Sequence, residues 1–498
     1  MCTICLTGTI FQDHEDKHMS TFYRLKKDIL LRGWDKLPFV VIDARTKKLD
    51  YVSKSMMSTL RMCDGSWDFD SIFCSGEHAQ NAAKLLKQNI IEACEEGNTI
   101  APEQEYHLYP NRFMQTIHWS LTGRCNYRCK HCFMSAPEAR YGELSHETMI
   151  GIARQIGECG IPRVSLTGGE PLIRRDFLDI AAELTRQNVA ITQLYTNGKL
   201  LTPEILDGLT KLHQHPTVIM SFDGVGWHDW QRGVPGAEAA ANAAFELCAS
   251  KGFRAHAQMT LHKDNVHTLR DTVNHLAAIG CGSMRVARVN DSGDWLSNGQ
   301  GLTLSSDEYR EAILDYIPHY YEDGMPLHII LLGMFSASPD EPNRYNLTPC
   351  REGCDDPNRS ILFCARLTMQ LYADGRPAIC DELGPDFVGG LPVASDDPAA
   401  ATMPLREQLT TGSPYLNLLD RRSKEIFEAN PTCVACPYLR YCGGGCRAMA
   451  HQAGGTIIDR DLDTCGFFND GWARKVMETV SRAQPEARSP YSDNPLFI

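Results

Sequence analysis

The sequence has no apolar stretch approaching the length of a membrane span, so neither a transmembrane helix nor a membrane partner is expected. It has no long basic run, and 49 Lys+Arg against 62 Asp+Glu leave a formal net charge of −13, which excludes nucleic acid as an expected main partner. The opening residues Met1-Cys-Thr-Ile-Cys-Leu6 are too short and too uncharged for a secretory signal, so a cytoplasmic location is expected. Cysteine, in contrast, is plentiful: the chain has 20. In a reducing compartment, closely spaced cysteines serve metals or catalysis rather than disulfides. A length of 498 residues suggests two to four domains, and 43% hydrophobic residues are enough for each to bury a core.

Three of the cysteines lie together in Cys125-Asn-Tyr-Arg-Cys129-Lys-His-Cys132, directly after the apolar stretch Met114 to Leu121. Three thiolates on one short loop can hold three irons of a [4Fe–4S] cube and leave the fourth open. An open iron can bind a small chelating molecule and pass it an electron. A zinc site or three unrelated thiols is the plainer alternative. The CxxxCxxC spacing resembles the radical S-adenosylmethionine (radical SAM) superfamily, in which the chelating molecule is SAM.

Apolar periodicity downstream of this loop alternates between the two regular structures. Strand-like runs fall at Met114 to Leu121, Arg163 to Leu166, Ala190 to Tyr195, Val218 to Phe222, Arg254 to Leu261 and Met284 to Val289. Helical patterns fall at Glu147 to Glu158, Asp176 to Gln187, Pro203 to Leu212, Ala237 to Ala249, His267 to Ile279 and Asp307 to Tyr321. Alternation at this length predicts an α/β fold with a parallel sheet and helices outside it. Six strands rather than eight predict a partial (β/α)6 TIM-like barrel over residues 114–325, whose strand C-terminal ends carry the chemistry.

Those strand ends are rich in candidate site residues. Arg163-Val-Ser-Leu-Thr167 runs into Gly168-Gly169-Glu170-Pro171. Glycines let a backbone approach a ligand, and a buried carboxylate can accept from an ammonium group; a simple strand-to-helix turn is the alternative. Tyr195-Thr-Asn197-Gly198 reads equally as an Asn-Gly turn. Ser221-Phe-Asp223-Gly224 ends a further strand, with Arg232 downstream. Resemblance to radical SAM enzymes implies that the GGEP element binds the methionine amino group of SAM. It also places Gly168, Gly169, Glu170, Asn197, Ser221 and Arg232 among the SAM contacts, Ser221 and Arg232 at the ribose or carboxylate. An ordinary salt bridge is the other reading of Arg232. Asp223 is the candidate catalytic residue, either facing the substrate or only orienting its loop.

A second cysteine pattern occupies the C-terminal third. Cys364 is followed by Gly375 and Cys380, then by Cys433-Val-Ala-Cys436, Cys442-Gly-Gly-Gly-Cys446 and Cys465. Paired thiolates at such spacing can hold zinc in a ribbon. The whole pattern resembles the SPASM domain of radical SAM enzymes, here over residues 350–475, which carries two auxiliary [4Fe–4S] clusters. Two clusters need about eight thiolates, and the pattern supplies the seven cysteines named. The eighth is expected from Cys354, or else Cys350, ahead of Cys364. The resemblance then implies Cys354, Cys364, Cys380 and Cys446 for one cluster and Cys433, Cys436, Cys442 and Cys465 for the other, giving three clusters with that of Cys125, Cys129 and Cys132. Cysteines 2, 5, 63, 74, 94, 159, 248 and 281 show no such pattern and read as core residues.

The front of the chain narrows the substrate. Phe22 to Leu31 reads as strand or helix, Phe39 to Asp43 and Leu49 to Val52 as a hairpin, Lys54 to Met62 as a short helix and Glu77 to Glu95 as a longer one. Small strands followed by helices suggest a winged helix-turn-helix over residues 20–98. Leu30-Leu-Arg-Gly-Trp-Asp-Lys-Leu-Pro38 and Cys63-Asp-Gly65 resemble the leader-peptide recognition domain fused to many peptide maturases. Such domains bind a leader as an added strand on a sheet edge.

The family resemblance then implies an oxidoreductase that modifies a ribosomally made precursor peptide. A 5′-deoxyadenosyl radical would abstract a hydrogen atom, forming an intramolecular thioether or another cross-link, with a flavodoxin or ferredoxin as reductant. The alternatives are an anaerobic sulfatase-maturing enzyme that makes formylglycine, against which residues 20–98 argue, and a non-catalytic electron-transfer or redox-sensing protein, against which the GGEP element argues.

Overall fold

A computed structural model describes residues 21–46 and 48–497, which divide into compact units meeting at Pro110 and Asn111. Cys2 and Cys5 lie outside the described residues.

The N-terminal unit carries β1 (Phe22–Leu25), β2 (Ile29–Asp35), β3 (Leu37–Asp43), β4 (Lys48–Tyr51), α1 (Lys54–Met62), β5 (Asp64–Asp68), α2 (Gly76–Lys87), β6 (Ile91–Cys94) and β7 (His107–Arg112). One sheet has the order β5-β1-β6 and the other β4-β3-β2-β7. The run Phe22 to Leu31, open between strand and helix, is therefore two strands. The hairpin β3–β4 forms with Val41 opposite Asp50. Ser53 caps α1 by accepting the Met56 N–H. The pattern over Glu77 to Glu95 is not one helix. It stops at Lys87, Asn89 turns the chain through a left-handed φ of 62°, and Ile91–Cys94 pairs antiparallel with β1. Its apolar residues fit either period locally, and pairing with β1 decides between them.

In the second unit, β8 (Thr116–Ser120), α3 (His146–Glu158), β9 (Arg163–Thr167), α4 (Phe177–Arg186), β10 (Ala190–Thr196), α5 (Pro203–Lys211) and β11 (Thr217–Ser221) begin the alternation. It continues through α6 (His228–Arg232), α7 (Ala237–Ser250), β12 (Ala255–Leu261), α8 (Leu269–Ala278), β13 (Ser283–Arg288), α9 (Trp295–Asn298), α10 (Ser306–Glu322) and β14 (His328–Leu331). Antiparallel strands β15 (Phe335–Ala337) and β16 (Tyr345–Asn346) follow, and β17 (Thr368–Leu371) with β18 (Pro377–Ala378) closes the list of strands. The sheet order is β16-β15-β14-β13-β12-β11-β10-β9-β8-β17-β18, parallel from β17 through β14.

The parallel run is thus longer than the six strands expected. β14 was hidden by its four-residue length, and β17 comes from the segment 350–475, about 250 residues after the strand it joins. Apart from β18, the rest of that segment is short helices and loops. Helices start where side chains can take their orphan N–H groups: Ser145 caps α3, Ser305 and Glu308 form a capping box on α10, and Pro203 opens α5.

Burial along β12 alternates: Ala255, Ala257, Met259 and Leu261 are buried, whereas His256, Gln258 and Thr260 are half-buried. A parallel strand covered on both faces reads as a continuous apolar run. Here one face packs under the helices, each fully buried Leu, Ile or Val contributing about 1.5–3 kcal/mol, and the other is polar. Neighbouring strands repeat the pattern in register, with His118 opposite Ser165, Ser165 opposite Gln193, His256 opposite Ser283 and Gln258 opposite Arg285.

Candidate active site

The segment after β8 holds Cys125, Cys129 and Cys132, and three distant pieces of chain fix it. First, the strand pairing of β8 with β9 continues past the strands: Leu121 N–H donates to the Thr167 carbonyl at 2.8 Å, Gly169 N–H to Thr122 at 2.8 Å and Glu170 N–H to Arg124 at 2.9 Å. An added Cβ on Gly169 would meet the Arg124 carbonyl oxygen at 2.2 Å, and one on Gly168, whose φ is +148°, the Thr122 oxygen at 2.6 Å. These glycines are required by close passage against the cysteine loop.

Second, the end of α6 runs along the loop. Arg128 N–H donates to the Arg232 carbonyl at 3.2 Å and Lys130 N–H to Gln231 at 2.9 Å. Third, the turn after β13 closes the far side: Asp294 N–H donates to the Cys132 carbonyl at 3.0 Å, and Ser135 Oγ donates to the Asp294 carboxylate at 2.7 Å. Sequence reasoning missed Gly293 and Asp294. Asp-Ser-Gly-Asp marks a turn, but nothing in the pattern ties it to a loop more than 150 residues earlier.

Donors are aimed at all three sulfurs. Tyr127 N–H points at Cys125 Sγ at 3.4 Å, Ala136 N–H at Cys132 Sγ at 3.3 Å and Arg232 Nη1 at Cys129 Sγ at 3.6 Å. Burial, with Cys129, Glu170 and Cys132 nearby, pushes the Cys125 thiol up to about 12, so a cation that binds here displaces a proton. A half-exposed loop with free thiols and N–H groups on the sulfurs fits a [4Fe–4S] cube, whose potential such hydrogen bonds tune. Among the described residues, no three His, Cys, Asp or Glu side chains converge as ligands of a single ion.

Glu170 is fully buried, and its oxygens accept from Leu172 N–H at 3.1 Å, Thr196 Oγ at 2.9 Å and Asn197 N–H at 2.7 Å. Burial pushes its pKa up to about 7 against these hydrogen bonds. Its side chain therefore joins the end of β9 to the end of β10. Asn197 in turn donates to Asn126 Oδ1 at 2.7 Å, within the cysteine loop. Ser221 ends β11 half-buried.

Asp223 is 0% exposed. Its Oδ2 accepts from Arg232 Nε at 2.6 Å and its Oδ1 from Thr260 N–H at 3.0 Å. Burial opposes its charge, but Arg232 holds its carboxyl well below the usual range. Asp223 thus exposes no oxygen, and its contacts tie the segment after β11 to Arg232 and Thr260. Arg232 does form a salt bridge, and the same guanidinium reaches Cys129.

The polar face of the sheet is the other feature that sequence reasoning missed. His118 and Tyr195 stack edge-to-face with centroids 4.9 Å apart. Asp381, next to Cys380, acts electrostatically on both: burial raises its carboxyl with His118 opposing, burial lowers His118 with Asp381 opposing, and Asp381 adds to the rise of Tyr195. The signal was present as the polar alternation in Ala255-His-Ala-Gln-Met-Thr-Leu261.

Cys433, Cys436, Cys442 and Cys465 all line one cavity of about 380 Å³, with Arg460 and Phe468 at its wall. Cys364 and Cys446 both lie close to Cys380. Cys354 is buried against Gly443, where an added Cβ would meet its own at 2.9 Å, and Arg359 Nη1 donates to its sulfur at 2.9 Å. Burial pushes the Cys350 thiol up, and Cys442 and Cys354 add to the rise. Of the remaining cysteines, 63, 94, 159, 248 and 281 are buried and 74 is half-buried.

Residues 119–276 match the sequence model of the Radical SAM superfamily, so this stretch is a radical SAM domain. It is 27% identical over 351 residues to an AdoMet-dependent heme synthase of Methanosarcina barkeri, covering 69% of this chain and 94% of that protein. It is 28% identical over 197 residues to a PqqA peptide cyclase of Gluconobacter oxydans, covering 39% of this chain and about half (54%) of that protein. Among solved structures, Streptococcus suis SuiB bound to precursor peptide SuiA shares the fold with a TM-score of 0.57 at 15% identity, over 89% of this chain and 100% of that one. A structure of anSMEcpe with bound AdoMet and a peptide gives 0.52 at 17% identity, over 74% of this chain and 97% of that one. Among the described residues no helix is long and apolar enough to cross a membrane.

Proposed function

We propose that this enzyme modifies a ribosomally synthesised precursor peptide, joining two of its residues. The observation that carries the reading is the extent of the shared folds. A match over 89% of the chain is longer than Asn111–Ile498 alone and must extend into the N-terminal unit, whereas one over 74% need not. The longer match is to a structure holding its precursor peptide.

In this reading residues 20–98 are the leader-recognition domain, of winged-helix type. Strand β4 pairs only with β3 among the described strands, so its outer edge is available to a further strand. Residues 350–475 are the SPASM domain, with Cys354, Cys364, Cys380 and Cys446 for one auxiliary cluster and Cys433, Cys436, Cys442 and Cys465 for the other. Cys125, Cys129 and Cys132 would hold the third. When bound, that cluster supplies the one electron that splits SAM into methionine and a 5′-deoxyadenosyl radical.

The protein's own work is placement. Gly168, Gly169, Glu170, Asn197, Ser221 and Arg232 surround the position of SAM. The polar face carrying His118, Tyr195 and Asp381 receives the reacting part of the peptide and excludes competing solvent reactions. A thioether is the first-choice link, with carbon–carbon and carbon–oxygen links next: one peptide hydrogen atom would leave in 5′-deoxyadenosine, the second hydrogen as a proton and the one remaining electron through an auxiliary cluster, while a flavodoxin or ferredoxin would supply the electron for SAM cleavage.

The test is anaerobic incubation of reconstituted enzyme with SAM, reductant and a short cysteine-rich precursor encoded beside it. A product about 2 Da lighter per link that resists reductant supports the reading. Conversion of a protein cysteine to formylglycine, or turnover of a tetrapyrrole with the peptide untouched, overturns it.

A further inference from the structure

Arg232 has charged or polarizable groups on both sides. Its Nε donates to Asp223 at 2.6 Å and its Nη1 to Cys129 Sγ at 3.6 Å. Neither end is free to drift. Asp223 also accepts from Thr260 N–H, its own N–H donates to His228 Nδ1 at 3.0 Å, and its carbonyl accepts from Asn265 Nδ2 at 2.9 Å. His228 Nδ1, which accepts the Asp223 N–H, also lies 3.4 Å from the carboxylate. On the other side, the Arg232 carbonyl accepts from Arg128 N–H, and a Cβ at Gly233, whose φ is +65°, would meet the Arg128 oxygen at 2.2 Å. Main chain and side chain therefore clamp the same stretch of the cysteine loop.

We propose that Asp223 and Arg232 form a positioning pair that sets the charge beside the Cys129 sulfur: Arg232 fixes the sulfur and places a cation on it, and Asp223 fixes Arg232 and offsets most of that cation. The proposal rests on Cys125, Cys129 and Cys132 holding the SAM-binding cluster. It gives Arg232 and Asp223 a task toward the cluster itself, separate from any contact with SAM.

The physics makes the two residues opposite in sign. Reduction adds an electron to the cluster, so a nearby cation favours the reduced form and a nearby anion opposes it. In a buried site these charges are weakly screened. Arg232 touches the sulfur and acts on it directly. Asp223 acts through the guanidinium.

The test is a redox titration of the reconstituted full chain, followed by electron paramagnetic resonance, with and without SAM. The signal that changes when SAM is added identifies the cluster concerned among the auxiliary ones. Asp223→Asn should raise its midpoint potential, Arg232→Gln should lower it, and the double variant should fall between them. Arg232→Lys, which keeps the charge, should stay nearer the parent than Arg232→Gln. Shifts of the same sign in the two single variants overturn the proposal. So do unmoved potentials with weakened SAM binding, because the pair then serves SAM alone. If Arg232→Gln loses its iron, Asp223→Asn with full iron content and an unmoved potential overturns the proposal by itself. A parent enzyme with no SAM-responsive signal fails one step earlier: it removes the assignment of the cluster, and the proposal with it.

Discussion

Arg232 and Arg359 each touch a cysteine sulfur, and their surroundings differ. Arg232 meets Cys129 with a fully buried carboxylate behind it, on a short helix held between sheet and loop. Arg359 meets Cys354 at 2.9 Å with no ion pair to any carboxylate among the described residues. Its carbon lies 3.4 Å from the centre of the Phe363 ring, its Nε is buried without a hydrogen-bond partner, and it lines a cavity of about 480 Å³. The first contact is a closed charge pair inside regular structure. The second leaves its positive charge to the sulfur and the aromatic ring, amid short helices and loops. The first should therefore tune a site whose shape the sheet already fixes, whereas the second should help to hold its site together.

The comparison breaks most completely if the sulfurs are not cluster ligands at all. Replacing Cys125, Cys129 and Cys132 together by alanine should abolish 5′-deoxyadenosine formation and remove about a third of the iron of a three-cluster enzyme. Iron assay and chromatography check both. Next, Asp381→Asn should lower peptide modification by about 10-fold or more while SAM cleavage persists, since general acid–base or positioning groups commonly act at that scale. Product mass spectrometry beside 5′-deoxyadenosine yield separates the two.

A smaller effect sharpens the contrast itself. Arg359→Ala should cost iron at the auxiliary site proposed for Cys354, and Arg359→Lys should recover part of it. Asp223→Asn should instead leave the iron content close to that of the parent.

The smallest effect is on stability. Burial pushes His256 down to about 4, against about 6.5 in an unfolded chain. The native state then binds fewer protons than the unfolded one across that window, so stability is full above pH 6.5 and declines as pH falls toward 4. Thermal denaturation at pH 7.5 and pH 5 should show a smaller drop for His256→Asn than for the parent.

Much of the β/α order was legible because each strand and helix has its own apolar period. Ala190 to Tyr195 and Pro203 to Leu212 fall within a residue of β10 and α5. β17 was not legible, because a four-residue strand becomes one only by lying against β8. The end of α2 failed for a related reason: Ile90 and Ile91 suit a helix or a strand, and pairing with β1 settles the matter. In the site, the cysteines announce themselves by spacing. Asp223 does not reveal from sequence that it is buried, and Gly293 does not reveal which loop it closes on.

In the cysteine loop the Thr122 and Arg124 carbonyls accept from the Gly169 and Glu170 N–H groups, the Arg128 and Lys130 N–H groups donate to the end of α6, and the Cys132 carbonyl accepts from the Asp294 N–H. Those anchors lie on either side of five strands, so the loop acquires its shape only after the sheet from β9 to β13 has formed. An unfolded or half-folded chain presents three thiols on a floppy tether, and only a finished sheet presents them as a socket. Metal binding at this loop should then depend on the whole sheet: a substitution deep in the sheet, far from any sulfur, is expected to show itself as a pale protein short of iron.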